Sequence, residues 1–261
     1  MNMLQKHARS SLFLFGSFSF AWVITVIIHE LGHAISLWAT RGNVTKITIN
    51  PLSWSYTYYG SSPKYPIFTS AAGAGFGTLL GLLLLFFAYR SANLYWIPIW
   101  LISVGAFLQN GGYYAIDILL GVDGDASRLL DLGISKPLLF GLSILMLIPG
   151  IILFVRLFPL FGLAPEDNFL TRFFVIGFGI VPYFALTVLY ALINNPDDLL
   201  LRLSSFFAVI FFTLMVSWIS MQYPNLVKPN FKKNIKKHHL LYSMLLGILA
   251  LTMPYFWNIY R

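Results

Sequence analysis

His29-Glu30-Leu31-Gly32-His33 is the segment of this chain whose residue types and spacing can do chemistry. Imidazoles four residues apart on an α-helix lie about 40° apart around the axis and one turn along it, so both can meet one ion. The Glu between them can reach a water held in an open coordination position and take its proton. That is the HExxH arrangement of zinc hydrolases, two neutral imidazole ligands with a carboxylate as general base. Short patterns also arise by chance, and the alternative is a pair of interfacial histidines with a helix-capping Glu. The setting opposes it. The pentapeptide directly follows the uncharged run Ser10–Ile28, in a chain with 5 His and 9 Asp plus Glu. Ionisable residues inside membrane helices are costly and usually functional. With 0 Cys, thiolate sites and disulfides are excluded, so any transition metal must be held by His and carboxylate.

The elements that must position these residues are helices in a membrane. The chain has 261 residues, 58% hydrophobic and 10% charged, against about 25% charged in soluble domains; its mean hydropathy is +0.75. Uncharged runs cover Ser10–Ile28, Tyr65–Tyr89, Ser91–Ile116, Pro137–Val155, Phe173–Pro196, Leu203–Val227 and Leu240–Tyr260. Each is near or above the ~20 residues a helix needs to cross a ~30 Å hydrocarbon core. The expectation is an all-α polytopic membrane protein with about seven transmembrane helices. A β-barrel would show ~10-residue segments of alternating polarity instead.

The net charge of +8 is concentrated. Lys228, Lys232, Lys233, Lys236 and Lys237 precede the last apolar run, beside His238 and His239. In so apolar a chain this is a cytoplasmic loop facing anionic lipid headgroups, not a nucleic-acid site. Lys6 and Arg9 before the first run resemble the start of a signal peptide, but no small-residue cleavage site ends it, so a retained anchor is expected. A seven-span alternation with a cytoplasmic N-terminus puts the lysine loop and Arg90 inside, Arg156 and Arg172 beside the inside loop, and Asp197, Asp198 and Arg261 outside.

Between the first two helices, Ile47 and Ile49 alternate with Lys46, Thr48 and Asn50. After Asn50–Ser53, Trp54, Tyr56 and Tyr58 alternate with Ser55 and Thr57. This period-2 pattern suits a β-hairpin, with an aromatic loop at the lipid interface as the equal alternative. Gly73, Gly77 and Gly81 recur at four-residue spacing, as on a close helix-packing face. Helix three ends near Leu120, before the polar stretch Gly121–Asp131.

Over about the first 135 residues the chain resembles the site-2-protease type of intramembrane zinc metalloproteases. The resemblance rests on the HExxH of the first core helix, a hairpin-like segment after it, a Gly-rich second helix and an Asp motif ending the third. That family's third zinc ligand is an Asp within Asn-x-x-Pro-x-x-Pro-x-Asp-Gly-Gly-Arg. Laid beside it, Asp117-Ile-Leu-Leu-Gly-Val-Asp-Gly-Asp125-Ala-Ser-Arg128 puts Asp125 on the ligand and Arg128 on the Arg. Both prolines and both glycines are missing, and Asp117 replaces an Asn thought to hold substrate or the oxyanion, a donor role an ionised Asp cannot fill. Asn110, seven residues earlier on nearly the same face, is a candidate substitute.

The resemblance implies that His29, His33 and Asp125 hold Zn²⁺, with Glu30 as general base for hydrolysis of peptide bonds in membrane-associated protein substrates. The core would be residues 1–135, with further transmembrane helices of unassigned role at 136–261. Asp123, followed by a Gly, is the alternative third ligand. Asp125 is favoured because it keeps Arg128 and Leu129-Leu130 after it, and because it stands where a helix over about 126–132 would begin and its side chain could cap that helix. Two other classes fit the same residues: a non-proteolytic zinc-binding scaffold or transporter, and a zinc hydrolase acting on a lipid amide.

Overall fold

The computed structural model describes residues 3–53, 55–89, 93–122, 124–227, 235–256 and 259–260. Trp54, Arg90, Asp123, Lys228, Lys232, Lys233 and Arg261 lie outside them. In chain order the elements are α1 (Met3–Ala39), β1 (Val44–Thr48), β2 (Tyr56–Tyr59), α2 (Pro66–Tyr89), α3 (Ile97–Leu120) and α4 (Asp125–Asp131). They continue with α5 (Lys136–Val155), α6 (Phe169–Asn194), α7 (Leu199–Gln222), α8 (Lys237–Phe256) and β3 (Ile259–Tyr260).

Each apolar run lies largely in a long helix, but the length and composition of those helices do not by themselves establish seven spans. Among the described residues, 5 helices are long and apolar enough to cross a membrane: α1, α2, α5, α6 and α7. Helix α3 falls short because Gln109, Asn110 and Asp117 interrupt it. Helix α8 opens on Lys237, His238 and His239.

Burial is inverted relative to a water-soluble fold. Ser143, Thr213, Ser217 and Ser220 are fully buried and hydrogen-bonded to backbone carbonyls, whereas Leu145 is 68% and Ile193 70% exposed. Hydrocarbon tolerates exposed Leu and Ile but offers no partner to a hydroxyl, so small polar groups turn inward. The chain is an integral membrane protein.

Two compact units are formed. One comprises residues 22–90, 102–151 and 253–261. Its first helix, α1, stops where Arg41 enters the left-handed region at φ 59° and the Gly42 N–H returns to Leu37 O at 2.7 Å, a common helix ending. The chain then turns so that Val44 and Ile47 bury against Ala34 and Leu37. The alternating residues form the hairpin: β1 and β2 pair antiparallel with Lys46 opposite Tyr58 and Ile47 opposite Thr57. Strand β3 pairs with the other side of β1, leaving β2 at the sheet edge.

Helix α2 lies close against α1, since a Cβ on Gly32 would stand 2.5 Å from Ala72 O and 2.9 Å from Phe76 Cβ. Helix α3 meets α1 at Gly105, where Thr25 Oγ1 would be 2.9 Å from an added Cβ, and meets α2 where Gly81 faces Ala106. Ala74, Tyr114, Ile118, Ala126, Leu129 and Leu139 form a core that seats α4 against α2, α3 and α5.

The other unit comprises residues 1–21, 91–101 and 152–252. Its α6–α7 pair is tied by Arg172, which is 0% exposed. The guanidinium donates from Nε to Asp167 O at 2.9 Å and from Nη1 to Ser220 Oγ at 2.7 Å. Nη2 donates to Ala164 O at 2.9 Å and to Pro165 O at 2.7 Å.

Candidate metal centre

His29 and His33 project from one face of α1, and the structure brings Asp125 to them from the first turn of α4. Three ligand atoms close a triangle. His29 Nε2 and His33 Nε2 are 3.2 Å apart, and Asp125 Oδ2 is 2.9 Å from the first and 3.1 Å from the second. The two histidines are almost fully buried and Asp125 is half-buried.

The other ring nitrogens settle the tautomers. His33 Nδ1 lies 2.8 Å from Thr69 O, a carbonyl that only accepts, so His33 donates there. His29 Nδ1 lies 3.0 Å from Asn110 Oδ1, while Asn110 Nδ2 donates to Ala74 O and Thr78 Oγ1, each at 3.1 Å. That fixes the amide with its oxygen toward His29, which therefore also donates from Nδ1. With both Nδ1 protons committed, a neutral imidazole at each position turns its Nε2 lone pair toward Asp125 Oδ2 and toward the other ring. One proton can relieve one such pair, whereas a metal ion relieves all three.

The dimensions fit an ion. Tetrahedral bonds of about 2.0–2.1 Å put neighbouring ligand atoms about 3.3 Å apart, close to the triangle's edges. The space is kept by Gly73 on α2, where an added Cβ would collide with both His33 Nε2 and His29 Nε2. Asp125 would serve an ion as its carboxylate anion.

Glu30 is buried beside this triangle. Thr57 Oγ1, from β2, lies 2.8 Å from Glu30 Oε2 and 3.0 Å from Glu30 O, so the hairpin holds the carboxylate. A cavity of about 260 Å³ opens here, lined by His29, Glu30, Gln109, Tyr113, Asp117 and Arg128 and walled by the residues of β2.

Several expectations for neighbouring residues change. Asp125 does not cap α4: it is the helix's first residue, and Gly124 before it makes no side-chain cap. Its carboxylate cannot reach back to the backbone while turned toward the histidines. The cap comes from Asp117, whose Oδ2 accepts the Ala126 N–H at 3.1 Å. Gly124 makes room for that carboxylate, since a Cβ there would strike it. Asn110 is not a spare donor for substrate, because its amide is consumed in orienting His29. Gly73 faces the imidazoles, leaving Gly77 and Gly81 as the helix-packing contacts. Asp123 lies outside the described residues.

Sequence reasoning passed over Thr57, Thr69 and Gln109. The interruption of apolar α3 by Gln109-Asn110 was the one available signal; nothing local marks Thr57 or the Thr69 carbonyl.

No curated relative and no solved structure matches the chain. Residues 16–113 match a family model described as Peptidase M50B-like. That stretch holds His29, Glu30, His33, the hairpin, Gly73 and Asn110, and ends before Asp125. Over that stretch the chain is similar to the Peptidase M50B-like family, which supports the resemblance to site-2-protease-type peptidases.

Proposed function

We propose that the protein is a membrane-embedded zinc metallopeptidase that hydrolyses peptide bonds of membrane-associated protein substrates. His29, His33 and Asp125 are the residues that would hold the ion, and the catalytic role falls to residues 1–135. The observation that carries this reading is the convergence of three lone-pair acceptors, their outer protons already committed, next to a buried carboxylate.

Zinc at that position would supply a Lewis acid for a water and for the scissile carbonyl. Glu30 takes a proton from the water through the carboxylate oxygen not engaged by Thr57 and delivers it to the leaving amide nitrogen. Thr57 keeps Glu30 aimed, Asn110 and the Thr69 carbonyl keep the imidazoles in one tautomer, and Asp117 fixes the start of α4 so that Asp125 faces them. A peptide bond inside a helix is shielded, so the substrate must be extended where it is cut. Edge strand β2 walls the cavity and can pair with such a segment through its backbone.

The seven long helices all span, on this reading, with a cytoplasmic N-terminus and Lys236 and Lys237 on that same side. Because the chain has 0 Cys, cysteines introduced at Lys236 and in the Asp197–Asp198 turn can be labelled without background. They should react from opposite sides of a sealed membrane. Labelling of both from one side contradicts the seven-span arrangement.

The deciding experiment is metal analysis of detergent-purified protein combined with hydrolysis of a synthetic transmembrane peptide. Wild type should carry about one zinc per chain and His33→Ala almost none, as expected for loss of one protein ligand. Glu30→Gln should keep the zinc and lose hydrolysis, on the order of 10²–10⁴-fold. A zinc-loaded wild type that cleaves small lipid amides but no peptide moves the reading to a lipid amidase. Unchanged turnover in Glu30→Gln removes Glu30 from the chemistry.

A further inference from the structure

Asn110 and Gln109 are adjacent carboxamides with opposite fates. Asn110 spends both ends of its amide on His29, Ala74 and Thr78. Gln109 is only 2% exposed, and its Oε1 has no hydrogen-bond partner among the described residues. It lines the cavity that holds His29 and Glu30. A buried polar group left unpaired costs about 1–3 kcal/mol, and among the described residues that line this cavity Gln109 is the one carrying such an atom.

We infer that the Gln109 carboxamide binds the backbone of the peptide being cut. This rests on the peptidase reading above and names the residue that reading lacks. Tyr113 and Asp117 follow Gln109 one and two turns along α3, and all three line the cavity. The Asp117 carboxylate cannot donate, and its Oδ2 is taken by the Ala126 N–H. Thr57 is committed to Glu30. The buried Oε1 of Gln109 is thus an acceptor poised for the N–H of a ligand.

A carboxamide presents one acceptor and two donors, complementary to the N–H and C=O of a peptide unit. An ester has no N–H to give it, so the group favours peptides and amides over ester lipids. A substrate strand would then be held by two sets of contacts in one cavity, the backbone of β2 and the side chain of Gln109.

The test uses the full zinc-loaded chain and a synthetic transmembrane peptide as probe. Gln109→Met keeps the length of the side chain and removes its polarity; Gln109→Glu keeps the shape and removes the donors. Peptide binding is measured in a Glu30→Gln background, where nothing is cut, and kcat and KM in the active background. Both variants should weaken peptide binding about tenfold, as for loss of a buried hydrogen bond, with KM raised and zinc content unchanged. Unaltered binding in both variants overturns the inference. So does loss of zinc in parallel with binding, since Gln109 would then be a support of the metal centre. Gln109-dependent binding without cleavage by wild type upholds the inference and sinks the peptidase reading. A wild type that neither binds nor cuts the peptide sinks both.

Discussion

The two compact units each bury a strongly polar cluster, and the clusters are built on opposite plans. Around Arg172 every nitrogen of the guanidinium meets an oxygen, and four hydrogen bonds of 2.7–2.9 Å close the network. Around His29, His33 and Asp125 the polar atoms are aimed at one another as acceptors, with Gly73 opposite to keep a gap and Gln109 unpaired nearby. A closed network has used all its hydrogen bonding on the fold and has nothing to offer a ligand. An open one keeps hydrogen-bonding capacity that an ion, a substrate or a water can take up. Burial of charge alone therefore does not mark a site; unmet demand does.

The contrast is most sharply tested by filling the gap. Gly73→Ala should abolish zinc binding, because its methyl group would occupy the space between the imidazoles, while the helix itself gains propensity. Metal analysis of folded, monodisperse protein decides this, and normal zinc content would show that the gap is not the ion's position. Next in size is the closed cluster. Arg172→Met strands three carbonyls and a hydroxyl and should cost on the order of 3–5 kcal/mol of stability. This would appear as a marked fall in thermal unfolding temperature in detergent. The surviving folded protein should bind zinc as wild type does, and a matching loss of zinc affinity would erase the distinction drawn here.

A smaller effect is expected one shell out from the ion. Asn110→Leu removes the acceptor that holds His29 in its Nδ1–H tautomer and should weaken zinc affinity about 10–100-fold, measured by competition with a chelator of known affinity. The smallest concerns Glu30. Thr57→Val deletes the hydroxyl and keeps the shape, so turnover should fall about tenfold, as for one charge-assisted hydrogen bond. Zinc content should hold, and Thr57→Ser should restore the rate. No recovery with Ser would mean that Thr57 matters through packing of the hairpin.

Much of the frame was legible in the residues. The apolar runs lie largely in long helices because a helix satisfies its own backbone in hydrocarbon, while alternation at Ile47–Tyr58 left a hairpin and an aromatic loop equally open and the structure forms the hairpin. Run length does not separate α3 from the other long helices, although Gln109, Asn110 and Asp117, at or beside the cavity, lower its apolarity. Periodicity likewise cannot distinguish a glycine that admits a helix, as at Gly81, from one that admits two imidazoles, as at Gly73.

What the sequence determined by itself is local: the spacing of His29 and His33 places both rings on one helix face, because helical pitch depends on backbone geometry and not on context. The positions of Asp125, Asn110 and Thr57 were decided only by tertiary structure. Asp125 is 92 residues from His33 in the chain and Asn110 is 81 from His29, and no local rule spans such distances. Asp117 shows the same limit from the other side. The resemblance aligns it with a group facing substrate, but Gly124 leaves room for its carboxylate at the start of α4, where it accepts the Ala126 N–H. Which carboxylate faces the two imidazoles is set by how α3, α4 and α1 pack.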